Sequence, residues 1–479
     1  MDHMKIMKIT WSTKVCICLF AIAFLFRLIR IGQESFFIDE VLTIKSCSGS
    51  TWEHILKVEA NPPLYFYLIR GWTTIFGLSH FSIRLFSALS GSLAPVFLCL
   101  AARVLRISRR GAAFAGFLMA ISPAAVWYGQ QARAYALLMT VICAWLYCLF
   151  LSLERPGGRI SIIAAILLVF GFSVHYYFGF VAVSGIGALI IRRLIIKDDA
   201  QLTRTILYQL IAIALCLMYI PLIHVQLSRD TLNWTPRPQF NDLKVVYSQI
   251  FLIGPFNEPK TMVRCFVGVF YIFLVATFFW KIFGAPASSK PSRFLFLLSI
   301  AVLPVLIPFL LSLGARSIFL KDRYTVVALP GFILLISYVV ARLSHVKMYG
   351  PGLAALLLLP MSIYHDFRYW TTYQDFDWRG AIRIVHDEMA EDDAIIFLPG
   401  WMRETYKNNS VVKEENIAGG FKDSPDTEEP SRIWLFSWEQ NPDQEEKKLA
   451  EDLAGRNGVK IRVDFPHIKL WEIPMNYEP

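Results

Sequence analysis

The sequence has few charged residues, few cysteines and no recognisable nucleotide-binding loop. Only 18% of its 479 residues are charged and 55% are hydrophobic, which excludes an ordinary soluble globular protein. Seven of the eight cysteines lie in or beside long apolar runs, so neither a disulfide framework nor a cysteine-based metal cluster is indicated. No Gly-rich phosphate loop follows the first strand predicted near the C-terminus, and the basic residues form no nucleic-acid-binding stripe.

The sequence instead contains long apolar blocks. They predict a polytopic α-helical membrane protein with about eleven transmembrane helices of roughly 20 residues each. Three lysines precede the first block, which lacks a small-residue cleavage site, so we expect a retained helix and not a removed signal peptide. The blocks lie near residues 15–31, 81–104, 111–128, 132–151, 160–176, 177–195, 205–226, 261–283, 294–313, 325–343 and 350–366.

Basic residues between these blocks predict the orientation in the membrane. Lys and Arg cluster in alternate loops, near residues 103–110, 155–159 and 192–204, and short cytoplasmic loops are the ones that retain positive charge. The N-terminus is therefore predicted inside. An odd number of spans then places the C-terminus outside, on the same side as the loop after the first span.

The chain divides into two predicted domains near residue 366. Residues 367–479 contain 14 Lys+Arg and 23 Asp+Glu, a net charge of −9, whereas the protein as a whole is at +10. Apolar runs at 394–398, 432–436, 459–463 and 468–471 alternate with amphipathic helical patterns at 378–390 and 443–455. We expect an extracytoplasmic small α/β domain with a partly parallel sheet, following a transmembrane domain of residues 1–366.

Two long segments on the outer side differ from plain loops. Residues 32–80 carry apolar and aromatic side chains at helical spacing, which predicts amphipathic helices on the membrane surface. Residues 227–260 include Asn233-Trp234-Thr235-Pro236-Arg237-Pro238 and Gly254-Pro255, and loops of this length are usually functional or mobile. We interpret this second segment as a lid over a cavity.

An acidic pair, Asp39-Glu40, lies in the first outer segment within the run Phe36-Phe37-Ile38-Asp39-Glu40. Carboxylates among aromatic and aliphatic residues at the exit of a membrane span are candidates for a functional site, because charge near lipid is costly. A solvated loop is the alternative. On the predicted topology the pair shares its membrane face with several cationic motifs, which favours a catalytic role.

Two further outer motifs precede helices. Asn61-Pro62-Pro63-Leu64-Tyr65 fits a rigid helix entry, and structural capping alone would explain it. Tyr128-Gly129-Gln130-Gln131-Ala132-Arg133 places an arginine beside Gln and Tyr donors. The guanidinium suits phosphate binding, although an interfacial arginine that reaches toward lipid headgroups would have the same sequence pattern.

Two aromatic motifs complete the outer set. His175-Tyr176-Tyr177 lies at a hairpin between spans, where either an interfacial aromatic belt or a ligand contact is expected. Lys321-Asp322-Arg323-Tyr324 precedes a late span, and its two cations and tyrosine hydroxyl could clamp a phosphate group or anchor the chain at the interface. A carboxylate that accepts a proton and cations that neutralise a leaving phosphate are the parts that a group transfer requires.

In their order along the chain, these five motifs resemble the GT-C membrane glycosyltransferases of the protein O-mannosyltransferase and lipid A aminoarabinose transferase type. The resemblance covers nearly the whole chain, including the α/β tail. It implies an inverting transfer of a sugar from a polyprenyl-phosphate donor to a lipid, glycan or protein acceptor at the outer face of a bacterial cytoplasmic membrane. One departure is Asn61, where related chains often carry His or Lys. If that position normally contacts phosphate, this chain has moved the charge elsewhere or uses a different donor.

The resemblance also implies roles for the individual residues. Asp39 matches the acidic residue taken as general base, and Glu40 would position the acceptor or tune that carboxylate. Arg133, Lys321, Arg323 and Tyr324 are predicted to bind the donor phosphate. The predicted substrate-binding residues are Asn61, Tyr65, Tyr128, Gln131, His175 and Tyr176. No cofactor is predicted, although some relatives need a divalent metal.

Two other functions fit the same composition. A lipid or solute transporter also has many spans, but it should show paired halves and carboxylates within the membrane, and we find neither pattern. A polymerase or ligase of lipid-linked glycans on another fold would share the substrate class. The identity of the second substrate would separate the two enzymes, whereas the sugar, the acceptor and the oligomeric state cannot be predicted from one sequence.

Overall fold

The computed structural model of the protein is mostly helical. The described residues are 2–47, 50–155, 157–195, 199–229, 235–254, 291–314, 316–343, 349–371, 378–390, 393–398, 402–409, 431–438, 460–464 and 468–474. The predicted span at 261–283, part of the predicted lid and the predicted helix at 443–455 lie outside these residues.

The helices before the C-terminal sheet vary from short surface-length elements to long apolar ones. They are α1 (Asp2–Leu28), α2 (Ile38–Cys47), α3 (Thr51–Lys57), α4 (Leu64–Phe76), α5 (His80–Gly91), α6 (Ala94–Val104), α7 (Arg109–Ala120), α8 (Pro123–Gly129), α9 (Tyr135–Glu154), α10 (Arg159–Val174), α11 (Phe178–Ile195), α12 (Ala200–Cys216), α13 (Ile220–Leu227), α14 (Phe240–Val245), α15 (Phe251–Ile253), α16 (Pro291–Gly314), α17 (Leu329–Leu343), α18 (Tyr349–Thr371), α19 (Trp378–Glu388) and α20 (Met402–Asn409).

Among the described residues, six helical stretches are long and apolar enough to cross a membrane, or seven if a bent pair forms one span. The six are His80–Val104, Tyr135–Glu154, Phe178–Ile195, Ala200–Leu227, Arg293–Gly314 and Tyr324–Ala341. The predicted polytopic helical membrane fold is therefore confirmed. The predicted number of about eleven spans stays a prediction. The blocks near 15–31, 160–176 and 350–366 are helical but are not among the six.

The span predicted at 111–128 is broken. Its two halves, α7 and α8, meet at an angle of 50° because Ser122-Pro123 interrupts the helical hydrogen bonding. The buried side chain of Arg27 donates from Nη1 to the carbonyl oxygens of Ala23, at 2.9 Å, and of Ala120, at 3.1 Å. Ala120 is the last residue of α7, so the guanidinium satisfies a carbonyl at the break.

The end of α1 is satisfied in return by the end of the broken span. Gln130 donates from Nε2 to the carbonyl oxygens of Arg27, at 2.9 Å, and of Ile29, at 2.7 Å. Gly129 leaves room for this arrangement, because a Cβ there would lie 2.5 Å from the Nε of Arg27. The two helix ends therefore cap each other across a long sequence separation.

Polar side chains also link neighbouring apolar helices. Trp145 of α9 donates from Nε1 to Oε1 of Gln209 in α12 at 3.0 Å, and both residues are buried. The Thr205 hydroxyl lies 3.3 Å from that of Ser152 and 3.1 Å from that of Ser161. Hydrogen bonds of this kind fix helix pairs where apolar surface alone gives little preference for one neighbour.

The two long outer segments contain helices. Residues 32–80 contain α2, α3 and α4. Helix α4 has both buried and exposed side chains, which matches the predicted amphipathic pattern. Pro63 stands at the N-cap of α4, which confirms the helix entry expected from the Pro-Pro pair. The described part of 227–260 contains α14, a π-helix at Val246–Ile250 and α15. Location on the membrane surface, and a lid function, stay predictions.

The chain forms two compact units. One consists of Met1–Ile29 and Ser46–Arg368, and the other of Arg30–Lys45 and Tyr369–Pro479. The second unit thus contains the C-terminal region together with a short segment that follows α1. The domain boundary predicted at residue 366 stays a prediction.

A four-stranded sheet forms the centre of the second unit, in the order β1-β2-β4-β3. The pair β1/β2 is parallel, and the pairs β2/β4 and β3/β4 are antiparallel, as expected for a partly parallel α/β domain. One face buries Trp434 and Phe436 against Trp378 of α19 and Tyr406 of α20. The strands are β1 (Ala394–Leu398), β2 (Arg432–Trp438), β3 (Lys460–Asp464) and β4 (Ile468–Pro474).

Candidate active site

Arg133 and Glu59 form a buried ion pair in the larger unit. Nη1 of Arg133 lies 3.4 Å from Oε1 of Glu59, and the two side chains are only 9% and 3% exposed. The same carboxylate oxygen lies 3.8 Å from Nε2 of His54. Arg133 lies in the turn that connects α8 to α9. The pairing holds the guanidinium in an apolar environment that would otherwise disfavour it.

Gln226 connects this pair to two of the predicted substrate residues. Its buried amide donates from Nε2 to the carbonyl oxygens of Glu59 and Asn61, both at 3.0 Å. Its Oε1 accepts a hydrogen bond from the Tyr176 hydroxyl at 2.9 Å. Asn61, Tyr176 and the Arg133 partner Glu59 therefore belong to one hydrogen-bonded network.

His175 lies in the turn between α10 and α11 and is 2% exposed. Its Nδ1 accepts from the main-chain N–H of Tyr177 at 3.2 Å, so the neutral ring carries its proton on Nε2. Burial, aided by the charge of Arg133, lowers the pKa of His175 to about 3. Nε2 has no hydrogen-bond partner among the described residues. The side chain is thus a neutral donor without an acceptor at physiological pH.

Aromatic rings surround His175. Its ring centroid is 5.3 Å from that of Tyr324 and 5.8 Å from those of Tyr135 and Tyr177. The Tyr177 and Tyr324 rings are 4.8 Å apart. We call these four residues the His175 cluster. It brings together the predicted residues His175 and Tyr324, which are far apart in the sequence.

Tyr128 extends the cluster. Its buried ring lies 4.9 Å from that of Tyr135, and Asp322 and Arg323 are near enough for their charges to act on its hydroxyl. Gln131 is also buried, and its carbonyl oxygen accepts from the Arg133 N–H at 2.8 Å. The structure therefore places Tyr128, Gln131 and Arg323 around the same turn.

Two predicted residues have other surroundings. The ring of Tyr65 packs against Phe66 and Phe86, with centroids 5.5 and 6.2 Å away. Lys321 forms an ion pair with Asp242 at 2.8 Å and is 48% exposed. Lys321 would have to leave this carboxylate to bind a phosphate, whereas Arg133 and Tyr324 already lie beside His175.

A cavity of about 490 Å³ adjoins these residues. Its polar lining comes from Asn61, His175, Tyr176, Tyr177, Thr235 and Tyr324, and the rest is mainly aliphatic and aromatic. The apolar lining includes Leu168, Phe172, Phe180, Val183, Ile213, Leu217, Ile220, Ile223, Leu227, Ile307 and Ile318. A mostly apolar cavity with a few polar groups is typical of a ligand site, and the size and lining here suit a hydrocarbon chain with a polar head.

The acid pair belongs to the smaller unit. Asp39 and Glu40 lie in the first turn of α2, where the helix dipole favours negative charge. Glu40 is buried, and its Oε2 accepts from the Phe37 N–H at 3.4 Å. Asp39 is half-buried, and its carbonyl oxygen accepts from the Thr43 hydroxyl at 3.2 Å. Their predicted catalytic role stays a prediction.

In the part of the chain that the structure describes, no group of three or more His, Cys, Asp or Glu side chains could hold a metal ion. A divalent metal, left open by the sequence, has no identified set of protein ligands here. Metal dependence stays an open prediction.

Comparisons with known proteins relate this arrangement to a known fold. Residues 60–224 match the family model described as dolichyl-phosphate-mannose-protein mannosyltransferase. The structure of ArnT from Cupriavidus metallidurans in the apo state matches with a TM-score of 0.54 and 13% sequence identity, covering 97% of this chain and 98% of that one. The chain has the GT-C glycosyltransferase fold. The fold that the sequence resemblance implied is thereby confirmed.

A second structure of the same GT-C protein is informative about ligands. ArnT from Cupriavidus metallidurans bound to undecaprenyl phosphate matches with a TM-score of 0.50 and 14% identity, with coverage of 97% of this chain and 98% of that one. No curated protein sequence matches the chain. Both ArnT structures cover the C-terminal part as well as the helices, so the fold match extends over nearly the whole GT-C chain.

The sequence analysis missed several residues of the site. Glu59 and Gln226 were not singled out, and Tyr135 and Tyr177 belonged to predicted motifs without an assigned role, although each contacts a predicted residue or its network. Gln226 carried a usable signal, because a lone amide near the end of an apolar span needs a buried partner. Glu59 stands two positions before Asn61, but its pairing with Arg133 has no local signature.

Proposed function

We propose that this GT-C protein transfers a sugar from a polyprenyl-phosphate donor to an envelope acceptor, with inversion at the sugar carbon. The observation that carries the proposal is the apolar cavity of about 490 Å³ whose polar lining includes His175 and Tyr324. A polyprenyl chain suits the apolar walls, since burial of each CH₂ contributes about 0.8 kcal/mol. ArnT, which has the same fold, was crystallised with undecaprenyl phosphate, and this supports a lipid phosphate as ligand.

The head of such a donor needs hydrogen-bond donors and positive charge. Nε2–H of His175 offers a fixed neutral donor, and the Arg133 charge acts on the same histidine. Arg323 and Tyr324 supply a second cation and a hydroxyl from the other end of the unit. Together these groups would stabilise the negative charge that develops on the departing phosphate. Lys321 contributes less because Asp242 already neutralises it.

Asp39 is the proposed base. In a single displacement, the acceptor oxygen forms a bond to the anomeric carbon while the bond from that carbon to the phosphate oxygen breaks. The acceptor hydroxyl proton passes to Asp39, and the lipid phosphate leaves with the bonding electron pair. Glu40 would position the acceptor or tune the neighbouring carboxylate, and Asn61, Tyr65, Tyr128, Gln131 and Tyr176 would contact substrate or support the residues that do.

The proposed location is a bacterial cytoplasmic membrane. The basic loops favour a cytoplasmic N-terminus, and the acidic C-terminal domain, at −9, would then lie outside. Lipid, glycan or protein acceptors are all compatible with this side. Sugar and acceptor have to be identified biochemically.

The test combines lipid binding with turnover. Protein in nanodiscs is titrated with undecaprenyl phosphate and then incubated with radiolabelled polyprenyl-phosphate sugars and an envelope extract. Wild type should bind the lipid phosphate and consume one of the labelled donors. Asp39→Asn should retain lipid binding but transfer sugar about 10²–10⁴-fold more slowly, the range for loss of a general base. Asp242→Asn, which removes the carboxylate that pairs with Lys321, is a matched control. Wild-type turnover by Asp39→Asn, or no lipid binding, would contradict the proposal.

A further inference from the structure

The segment that leads into α2 is held by a side chain from the C-terminal region. Asn409, the last residue of α20, receives the Phe36 N–H on its Oδ1 at 2.6 Å. Its Nδ2 donates to the Phe36 carbonyl oxygen at 2.9 Å. One amide side chain therefore satisfies both main-chain groups of Phe36, as a neighbouring β-strand would. The two residues are 373 positions apart in the sequence.

These hydrogen bonds are shielded from water. Asn409 is 4% exposed and Phe36 is 2% exposed. Nδ2 of Asn409 also donates to the Thr405 carbonyl oxygen at 2.9 Å, so the amide is oriented by its own helix. Loss of the amide would remove both of these hydrogen bonds from a buried stretch of main chain, which destabilises that stretch.

A second residue of the same unit fixes the chain just before Phe36. Arg379 of α19 donates from its main-chain N–H to the Ser35 hydroxyl at 3.2 Å. Its Nη1 donates to the carbonyl oxygens of Gly32 at 3.1 Å and Gln33 at 3.2 Å. The segment 32–36 is thus tied to α19 and α20 by hydrogen bonds to its main chain and to the Ser35 hydroxyl.

The acid pair follows directly. Phe37 contacts the Glu40 carboxylate through its N–H, and its carbonyl oxygen accepts the Glu40 N–H at 2.9 Å. The position and direction of the first turn of α2, which carries Asp39, therefore depend on where Phe36 and Phe37 are held. Asn409 holds Phe36 through the two hydrogen bonds to its main-chain N–H and carbonyl oxygen.

We propose that Asn409 is a positioning residue for Asp39, and that the C-terminal α/β unit thereby takes part in the reaction. The inference rests on the proposed role of Asp39 as base. In this proposal the α/β unit holds the general base in place through hydrogen bonds to the main chain of Phe36. A displacement of about 1 Å at a reacting group can cost on the order of 10²-fold in rate.

The experiment uses the full protein in nanodiscs and compares Asn409→Leu and Asn409→Asp with wild type. The leucine has similar volume but offers no hydrogen bonds, and the aspartate retains only the acceptor for the Phe36 N–H. We expect hydrogen exchange at the Phe36 amide to rise at least tenfold in Asn409→Leu and less in Asn409→Asp. We expect kcat to fall about 10–100-fold in Asn409→Leu, while the Kd for undecaprenyl phosphate stays within twofold.

Arg462→Leu is the control for a general loss of stability. Arg462 pairs with Glu388 and Glu472 in the same unit, so this variant should weaken the sheet region without raising exchange at Phe36. An equal fall of kcat in Arg462→Leu and Asn409→Leu would overturn the inference. So would an Asn409→Leu protein with raised Phe36 exchange and unchanged kcat.

The double variant links Asn409 to the base. If Asn409 acts through Asp39, Asn409→Leu should slow residual transfer by less than twofold when Asp39 is already Asn. Full additivity of the two losses would contradict a positioning role. If wild type transfers no sugar from any lipid-linked donor, the proposed function fails. If wild type transfers sugar and Asn409→Leu does so equally well, only this inference fails.

Discussion

Two arginines, Arg133 and Arg432, each neutralise a buried carboxylate, but their surroundings differ. All three side-chain nitrogens of Arg432 donate within its unit: Nε and Nη2 to Asp393, Nη1 to Glu472, and Nη2 also to the Glu388 carbonyl oxygen. Its guanidinium carbon lies 4.9 Å from the centroid of the Trp434 ring. This network satisfies its own members and has the character of a structural one.

The surroundings of Arg133, by contrast, include a hydrogen-bond donor of His175 that has no acceptor among the described residues. Arg133 pairs with Glu59 at 3.4 Å, and its charge acts on His175, whose Nε2–H has no acceptor among the described residues. His175 is one of the residues that line an apolar cavity. A buried donor left without an acceptor costs about 1–3 kcal/mol, and a ligand oxygen would recover that cost. Similar ion pairs can thus serve stability in one unit and ligand binding in the other.

Replacement of Arg133 should have the largest effect on sugar transfer and tests whether the two arginines differ in role. Arg133→Gln removes the cation beside His175, so we expect transfer to fall about 10²–10³-fold, as for loss of one charge-stabilising donor. It also leaves Glu59 buried without this partner, which costs about 3–5 kcal/mol. The double variant Arg133→Gln, Glu59→Gln should regain thermal stability but not activity. Thermal melts and initial rates in nanodiscs measure the two effects. Recovery of activity with stability would show that Arg133 has only a structural role.

Replacement of Asp393 tests the structural side. Its carboxylate is 1% exposed and pairs with Arg432 at 2.7 Å, so Asp393→Asn should destabilise the smaller unit by about 3–5 kcal/mol. Hydrogen exchange of peptides from 431–438 in the full protein would measure this loss. Lipid phosphate binding by the larger unit should stay within about twofold, because the residues that line the cavity all belong to that unit. A large loss of lipid affinity would contradict the distinction between the two networks.

The same carboxylate should make the smaller unit sensitive to acid. Burial raises the pKa of Asp393, but hydrogen bonds from Arg432, the Ala390 N–H and Trp434 outweigh it, and the pKa lies below its ordinary value. A carboxyl with a lowered folded-state pKa stabilises above its unfolded pKa, near 3.9. That contribution is lost as pH falls through the folded-state value. The acid-dependent loss should therefore begin below about pH 4 and be absent in Asp393→Asn.

The smallest effect is expected at Lys321. Its pair with Asp242 is 48% exposed on the lysine side, and exposed pairs contribute about 0–1 kcal/mol. Lys321→Met should lower stability by no more than this and change the Kd for undecaprenyl phosphate less than threefold. A thermal melt measures the change in stability, and a lipid titration at low and high salt measures the Kd. A tenfold or larger loss of lipid affinity would show that Lys321 leaves Asp242 to bind the phosphate, as the sequence motif first suggested.

Sequence patterns were most informative where they are local. Strand β1 begins and ends where its apolar run does, at Ala394 and Leu398, and Pro63 marks the start of α4. Interactions between distant segments have no such pattern. Arg133 and Glu59 are 74 positions apart, and Gln226 reaches the Glu59 carbonyl oxygen across 167 positions. The break between α7 and α8 was missed because hydropathy continues through Ser122-Pro123.

The segment containing Asp39 shows the same limit more sharply. Its sequence contains an acidic pair after the first predicted span, and this pair lies in the first turn of α2. Nothing local indicates that Phe36 pairs with an amide 373 positions later. Motifs could therefore nominate residues for chemistry, whereas the residues that hold them in place come from long-range packing.

The mutual capping of α1 and the broken span also bears on biosynthesis. The Arg27 side chain donates to Ala120 as well as to Ala23 of its own helix, and the Arg27 carbonyl oxygen accepts from Gln130, 103 positions away. A nascent chain extends from its N-terminus, so α1 is made well before either partner exists. An unpartnered arginine near the end of a span is costly in lipid. We therefore expect α1 to stay beside the insertion machinery, or with Arg27 at the membrane surface, until α7 and α8 have been synthesised.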